Sequence, residues 1–335
     1  MKETLLPYLV CVNCGGEFST FVAKVEDAEI MEGALKCLGC GERVPILRGI
    51  PYFSRVYRTR AVTRTVERFG YQWNAFYNIS DYYEKQFLDW IHPLTPDDFR
   101  GKVVLDAGCG KGRHAFFSAS FGAREVIAFD LSPSVEAAFR NTRHLPNVHI
   151  VRADIHRLPL KPVFDLAYCI GVLHHLPDPA KGFHTLRMYI RPGGCFAAWV
   201  YGRENNGWIV WLFDPVRKAV TSRLPYPILK VMAWTATLFL YPVLRYVYRP
   251  VNRRMKPISR LLFYNDYFAY ISQFPFREIY GTVVFDHMTA PIAHYLPKAE
   301  VERWIAHEDL EEVRLSPWNR NSWRALVRRR NPGSA

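Results

Sequence analysis

Residues 103–115, VVLDAGCGKGRHA, restrict the fold more than any other stretch of the chain. Val103, Val104 and Leu105 form a short buried strand that ends on Asp106. Gly108, Gly110 and Gly112 then remove side chains where the chain must turn tightly before a helix begins. Strand, glycine turn and helix in that order belong to a doubly wound α/β sheet, with the backbone of the turn laid against a ligand. RHAFFSASFGA reads as the helix, and EVIAFD (125–130) as a second strand ending in an acid, twenty residues after Gly110, where such folds place a ribose-binding carboxylate. The turn is therefore a nucleoside site. A dinucleotide fits poorly, because the sixth position counted from Gly108 is Arg113 and the third glycine is displaced to 112. Asp106 beside the turn suits a cofactor with a cationic amino group rather than a diphosphate.

Three later segments extend the pattern. NVHIVRADIHRLPL (147–160) supplies a third strand ending at Asp154, FDLAYCIGVLHHLPDP (164–179) a fourth followed by a turn, and IRPGGCFAAWVYG (190–202) a glycine turn leading into a fifth. Taken in order, Asp106-Ala-Gly-Cys-Gly, Asp130, Asp154, GVLHHL and RPGG resemble the class I S-adenosylmethionine-dependent methyltransferases. The resemblance implies an α/β fold with a doubly wound, Rossmann-like sheet of seven strands, and S-adenosylmethionine as cofactor. It also implies roles. Ala107, Gly108, Cys109 and Gly110 pack on the methionine part, and Asp106 helps hold the amino group. Asp130 with Leu131 binds the ribose, Asp154 with the Ile155 backbone binds adenine, and Ile170 completes the cofactor wall. Cys109 reads as a small packing residue and Cys169 as a buried thiol. Tyr168 stands where a covalent cytosine mechanism would want proline. YCIGVLHH replaces the Asp/Asn-Pro-Pro-aromatic element of amino-methylating nucleic-acid enzymes, which weakens base N-methylation.

Four cysteines near the amino terminus fall as CVNC (Cys11, Cys14) and CLGC (Cys37, Cys40), separated by a stretch long enough for a hairpin that joins the pairs. A tetrahedral thiolate zinc site is the natural reading, and with all four positions filled the metal is structural. CGERVPILRGIPYF (40–53) resembles the small zinc-ribbon proteins that partner tRNA methyltransferases. MKETLLPYLV carries no signal-peptide pattern, so the expected location is cytoplasmic, peripheral at most to the inner face of the membrane.

The expected organisation is a ribbon over 1–55, a helical lid over 56–100, the core over 101–202, a cap insertion over 203–297, and a last helix with two strands over 298–330. The lid segment VERFGYQWNAFYNISDYYEKQFLDWI (66–91) is aromatic-rich, and Tyr71, Gln72 and Trp73 are candidates to shelter a sulfonium. The chain has 44 Lys plus Arg against 31 Asp plus Glu, a net charge of +13 that favours anionic partners. Between Pro215 and Arg260 lie ten basic residues and no acid, around the uncharged run VMAWTATLFLYPVL. Three readings of the insertion compete: an amphipathic cap on the substrate pocket, an interfacial helix giving peripheral membrane contact through 203–260, and a basic platform for RNA phosphates. The aliphatic content ranks RNA last.

Methyl transfer is a displacement in which alignment does most of the work, and a base is needed only if the acceptor holds its proton. His174, His175 and His287 are the candidate bases. Tyr201, after the fifth strand, and Trp318, Asn319, Arg320 and Asn321, in the turn between the last strands, are candidates to line the acceptor pocket. The expectation is a methyltransferase for a small-molecule or lipid-like acceptor. An RNA methyltransferase using the ribbon and the basic insertion is the alternative, and a noncatalytic binding or activator protein a third reading.

Overall fold

A computed structural model describes residues 1–53 and 59–331. The expected ribbon–lid boundary at 55/56 lies outside the described residues. The amino-terminal unit is a four-stranded antiparallel sheet, β1 (Phe18–Glu26), β2 (Glu29–Cys37), β3 (Arg43–Leu47) and β4 (Ile50–Pro51). Two helices follow, α1 (Arg60–Ala75) and α2 (Tyr82–Ile91). The side chain of Thr59 caps α1 by accepting from the Val62 amide.

The main sheet has seven strands. In chain order the first part runs β5 (Val103–Ala107), α3 (Arg113–Ser120), β6 (Glu125–Asp130), α4 (Val135–Thr142), β7 (Val148–Arg152), β8 (Phe164–Ile170), α5 (Pro179–Arg187) and β9 (Ile190–Tyr201). The cap helices are α6 (Asp214–Ala219), α7 (Tyr226–Val243), α8 (Arg249–Arg254), α9 (Lys256–Ser259), α10 (Asn265–Ile271), α11 (Phe276–Glu278) and α12 (Phe285–Thr289). Then α13 (Lys298–Ile305), β10 (Leu310–Trp318) and β11 (Ser322–Arg329) complete the sheet in the order β10-β11-β9-β8-β5-β6-β7. β5 to β9 are parallel; β11 is antiparallel to β9, and β10 antiparallel to β11. β10 therefore points the same way as the parallel strands, which brings its end at Trp318 to the edge where the turns after β5, β6 and β7 lie.

Alternation explains why β5 must be central. Val103, Leu105 and Ala107 face one buried layer with Ile127, Phe129 and Val151, whereas Val104 faces the other with Val126, Phe87 and Trp90 of the lid. Every residue of β5 is buried. Gly112 starts α3 at φ +79°, and a Cβ there would lie 3.0 Å from the Ala138 Cα, so the glycine lets α3 cross α4 closely.

The amino-terminal unit shares the first of those cores. Leu5, Leu9, Leu35 and Ile46 pack in one cluster with Val151, Ile155 and Leu160. Backbone pairing fixes the dock: the Val10 amide donates to Pro159 O, the Lys161 amide to Tyr8 O, and the Phe53 amide to Arg152 O, each at 2.9 Å. Tyr52 forms a parallel bridge to Arg152, so the outer edge of β7 is covered.

The uncharged run VMAWTATLFLYPVL sits inside a longer helix. α7 and α8 belong to one continuous helix of 29 residues, Tyr226–Arg254, long and apolar enough by length and composition to cross a membrane. Arginines end the uncharged run but not the helix, because they project from it into solvent. Its outward side leaves Phe239 73% and Tyr246 76% exposed, while Leu229, Ala233 and Leu244 are buried.

Candidate active site

A cavity of about 510 Å³ opens over the strand ends and runs beneath the cap. One half is built from the turns after β5, β6 and β7. Gly108, Cys109, Gly110, Asp130, Asp154 and Ile155 lie on its wall, with Leu131, Ile170 and Trp73. Gly110 sits at φ +53°, and a Cβ there would stand 3.3 Å from the Trp73 Nε1, so the turn offers bare backbone to a ligand. Asp130 is aimed by its neighbours: Oδ2 accepts from the Gly110 amide at 2.9 Å and Oδ1 from the Ser132 amide at 2.8 Å. Asp154 Oδ1 accepts from the His156 amide at 2.9 Å.

Asp106 and Ala107 are placed differently. Both are buried beneath the turn and neither is on the cavity wall. Burial and the charge of Asp130 push the Asp106 carboxyl up to about 8, against the pull of the Ala115 amide and the Tyr168 hydroxyl. Any contact of Asp106 with a ligand is therefore indirect.

The other half of the cavity is aromatic. Tyr201, Tyr264, Tyr267, Tyr295 and Trp318 line it, with Asp286 and His287. Asn319 and Asn321 stand on the wall as well, and the Asn321 side chain donates to the Tyr264 hydroxyl at 2.8 Å. Arg320 does not. Its side chain is 77% exposed and stands 3.7 Å from Asp266. At the lid, Trp73 faces the cavity, but Tyr71 stacks on Tyr226 with centroids 3.7 Å apart, and Gln72 is turned toward Asp286.

The paired histidines are committed to structure. His174 is fully buried; its Nδ1 accepts from the Tyr201 amide at 3.4 Å and its ring stacks on Tyr201 at 3.8 Å. His175 Nδ1 donates to the Ile292 carbonyl at 2.6 Å, and burial pushes its pKa down to about 3. His287 falls to about 4 for the same reason, with the Arg217 charge adding to it. All three rings are neutral near pH 7.

Sequence reasoning missed a buried relay joining turn and cap. Lys111 donates to the carbonyls of Phe76 and Asn78 at 3.0 and 2.9 Å and to the Tyr83 hydroxyl at 2.8 Å. The Tyr83 and Tyr82 hydroxyls each donate to Glu278 at 2.6 Å. Burial brings Lys111 down to about 7. The available signal was a lysine inside a glycine turn, GCGKGR, where a buried ammonium must find carbonyls.

At the far end of the molecule the sulfurs of Cys11, Cys14, Cys37 and Cys40 all lie within 4.8 Å of one another. The Cys11–Cys40 and Cys14–Cys37 separations are 3.7 and 3.4 Å. A tetrahedron with metal–sulfur bonds of about 2.3 Å has edges near ~3.8 Å, so the four-cysteine cluster fits a zinc ion.

Residues 104–194 match the methyltransferase domain family, and the chain carries such a domain over these strands. The tRNA U34 carboxymethyltransferase of Pseudoalteromonas translucida is 33% identical over 118 residues, 34% of this chain and 35% of that protein. The enzyme of the same name from Shewanella loihica is 32% identical over 165 residues, 43% of this chain and 47% of that protein. The chain thus spans between about a third and a half of the length of these curated relatives. A solved S-adenosylmethionine-dependent methyltransferase from Mesorhizobium loti is 31% identical, with 31% of this chain and 48% of that one covered and a TM-score of 0.29. The relatives' names overturn one expectation. They are those of tRNA enzymes, which reverses the ranking that put a small-molecule or lipid-like acceptor and membrane contact through 203–260 ahead of RNA.

Proposed function

We propose that the chain is an S-adenosylmethionine-dependent transferase that modifies RNA, with tRNA as the substrate class. The observation that carries this reading is the stretch of about a third of the chain shared with tRNA U34 carboxymethyltransferases. The methyltransferase-domain match over 104–194 holds the turn and the strand-end acids. The basic character of the cap supports it, since Arg223, Arg245, Arg253, Arg254, Lys256 and Arg260 are exposed there and would supply phosphate contacts. A tRNA substrate would place the protein in the cytoplasm.

The residues of the first half-cavity fit the cofactor. Asp130, with both oxygens oriented by backbone amides, would accept the ribose hydroxyls. Asp154 and the Ile155 backbone would meet the adenine, and the Gly108–Gly110 turn the methionine part, with Cys109 and Ile170 as apolar wall. When bound, the cofactor supplies an electrophilic carbon on a cationic sulfur. The chain's own contribution is to exclude water with the lid and cap and to hold an acceptor against that carbon. The four cysteines would hold a structural zinc ion that stiffens the unit packed on β7.

Incubating the purified protein with radiolabelled S-adenosylmethionine and unfractionated bacterial tRNA, followed by nucleoside mass spectrometry, tests the reading. Label in one tRNA nucleoside is expected. Label in the lipid or small-molecule fraction of a cell extract, with tRNA blank, would overturn it.

A further inference from the structure

Asp286 is a cavity acid set apart from those of the strand-end turns. It lies on α12 at the inner end of the cavity, and it is the sole carboxylate on the aromatic half of the wall among the described residues. Two neutral donors hold it: the Gln72 amide reaches Oδ1 at 3.0 Å and the Tyr201 hydroxyl reaches Oδ2 at 3.3 Å. No lysine or arginine forms an ion pair with it among the described residues. The nearest cationic influences, Arg113 and Arg217, are engaged elsewhere: Arg217 with Asp214, and Arg113 with Gln86 and the rings of Trp73, Tyr83 and Trp90.

A half-buried carboxylate held by neutral donors alone, with no cation beside it, keeps capacity to accept a further hydrogen bond from a ligand. The surrounding rings say what shape that ligand has. His287 and Tyr295 each lie at a shallow angle to Tyr201, with centroids 6.1 and 5.7 Å from it, so the space favours flat faces. The Trp318 ring, packed against Tyr270, adds another flat face to the cavity wall. The histidines expected to act as bases are neutral, and His174 and His175 are spent on backbone contacts.

We propose that this half-cavity receives a planar heterocycle or phenol-like ring carrying an N–H or O–H, and that Asp286 is the group that accepts that proton. The proton passes from the ring nitrogen or oxygen to a carboxylate oxygen of Asp286, and the electron pair of the broken bond stays on the ring atom, which becomes the nucleophile. An uncharged nucleobase turned out of its stack has this chemistry. An anion is disfavoured by the carboxylate, and an aliphatic chain leaves Asp286 without a donor. Desolvation raises the Asp286 carboxyl while Gln72 and Tyr201 lower it, so it is a better proton acceptor than an exposed aspartate. The assignment rests on the transferase reading above.

The test uses the full chain saturated with S-adenosylhomocysteine, titrated by calorimetry with uracil and with 1,3-dimethyluracil. A hydrogen bond to a charged acceptor gives uracil an advantage of about 10- to 100-fold. Asp286→Asn keeps shape and a partner for Gln72, and is expected to shrink that advantage to about threefold while leaving dimethyluracil and S-adenosylhomocysteine affinity unchanged. Equal binding of the two rings by the wild type, failure of both to bind, or full discrimination by Asp286→Asn would each overturn the assignment. The two readings fail separately. Uracil selectivity without tRNA labelling sinks the RNA substrate and leaves the ring site standing; tRNA labelling at an undiminished rate by Asp286→Asn does the reverse.

Discussion

The backbone amide of Gly110 donates to Oδ2 of Asp130 at 2.9 Å, which makes the turn after β5 and the acid ending β6 one unit. Asp130→Ala is expected to weaken S-adenosylhomocysteine binding by about 10- to 100-fold, from loss of a charged acceptor toward ribose. Asp130→Asn, which still accepts from one amide, should fall between. Calorimetry checks both, and an unchanged Kd in the alanine variant removes Asp130 from the site.

The relay from Lys111 to Glu278 ties the turn to the cap through Tyr83. Glu278→Gln replaces a charged acceptor of two tyrosine hydroxyls and should lower stability by about 1 to 3 kcal/mol in urea unfolding. Lys111→Met strands two carbonyls and belongs in the same range. The two variants combined should cost less than their sum, because both interrupt one network. Strict additivity would show that turn and cap are independent.

Removing a zinc ion from the four cysteines is expected to loosen the segment after β7 by way of the ribbon dock. One zinc per chain is expected by elemental analysis, and Cys37→Ser should abolish it. Loss of the metal frees residues 8–10, which pair with Pro159 and Lys161, so hydrogen exchange at the Val10 and Lys161 amides should accelerate together. Full metal content in the serine variant refutes the site, and unaltered exchange refutes the coupling.

His175 and His287 have folded pKa values of about 3 and about 4 against 6.5 for a free imidazole. Below pH 6.5 the unfolded chain binds protons that the folded chain refuses, so these groups withdraw stability as pH falls from 6.5 toward 4. Each accounts for a slope of up to about 1.4 kcal/mol per pH unit. His287→Gln should flatten the acid limb of a plot of urea midpoint against pH by one proton. A parallel curve would show that His287 is charged in the native state.

What the sequence made legible was local. A buried strand, a glycine turn and an acid at each strand end are written within a few residues, so β5, β6 and the placement of Gly108, Gly110, Asp130 and Asp154 follow from spacing. The last helix and two strands were likewise readable from pattern. Asp286 and Glu278 were not. Their partners Gln72 and Tyr83 lie 214 and 195 residues away in the chain, and no periodicity announces a contact across an insertion. His174 and His175 misled for the opposite reason: residues at a strand end near a ligand look chemical, yet these two are consumed by holding Tyr201 and the segment around Ile292. Tyr71 and Tyr226 show the same limit, since an aromatic in a lid signals burial without saying against what.

The docking of residues 50–53 along β7 bears on how the protein can be cut. A fragment trimmed to the methyltransferase-matching stretch, 104–194, would bare the Arg152 backbone that Phe53 now satisfies and would lose most of β9 and the two strands beyond it. Both flanks of such a fragment would be open templates for strand addition by its neighbours, so it should precipitate as ordered aggregates instead of behaving as a minimal catalytic module. In this chain the amino-terminal sheet serves as a hem along β7.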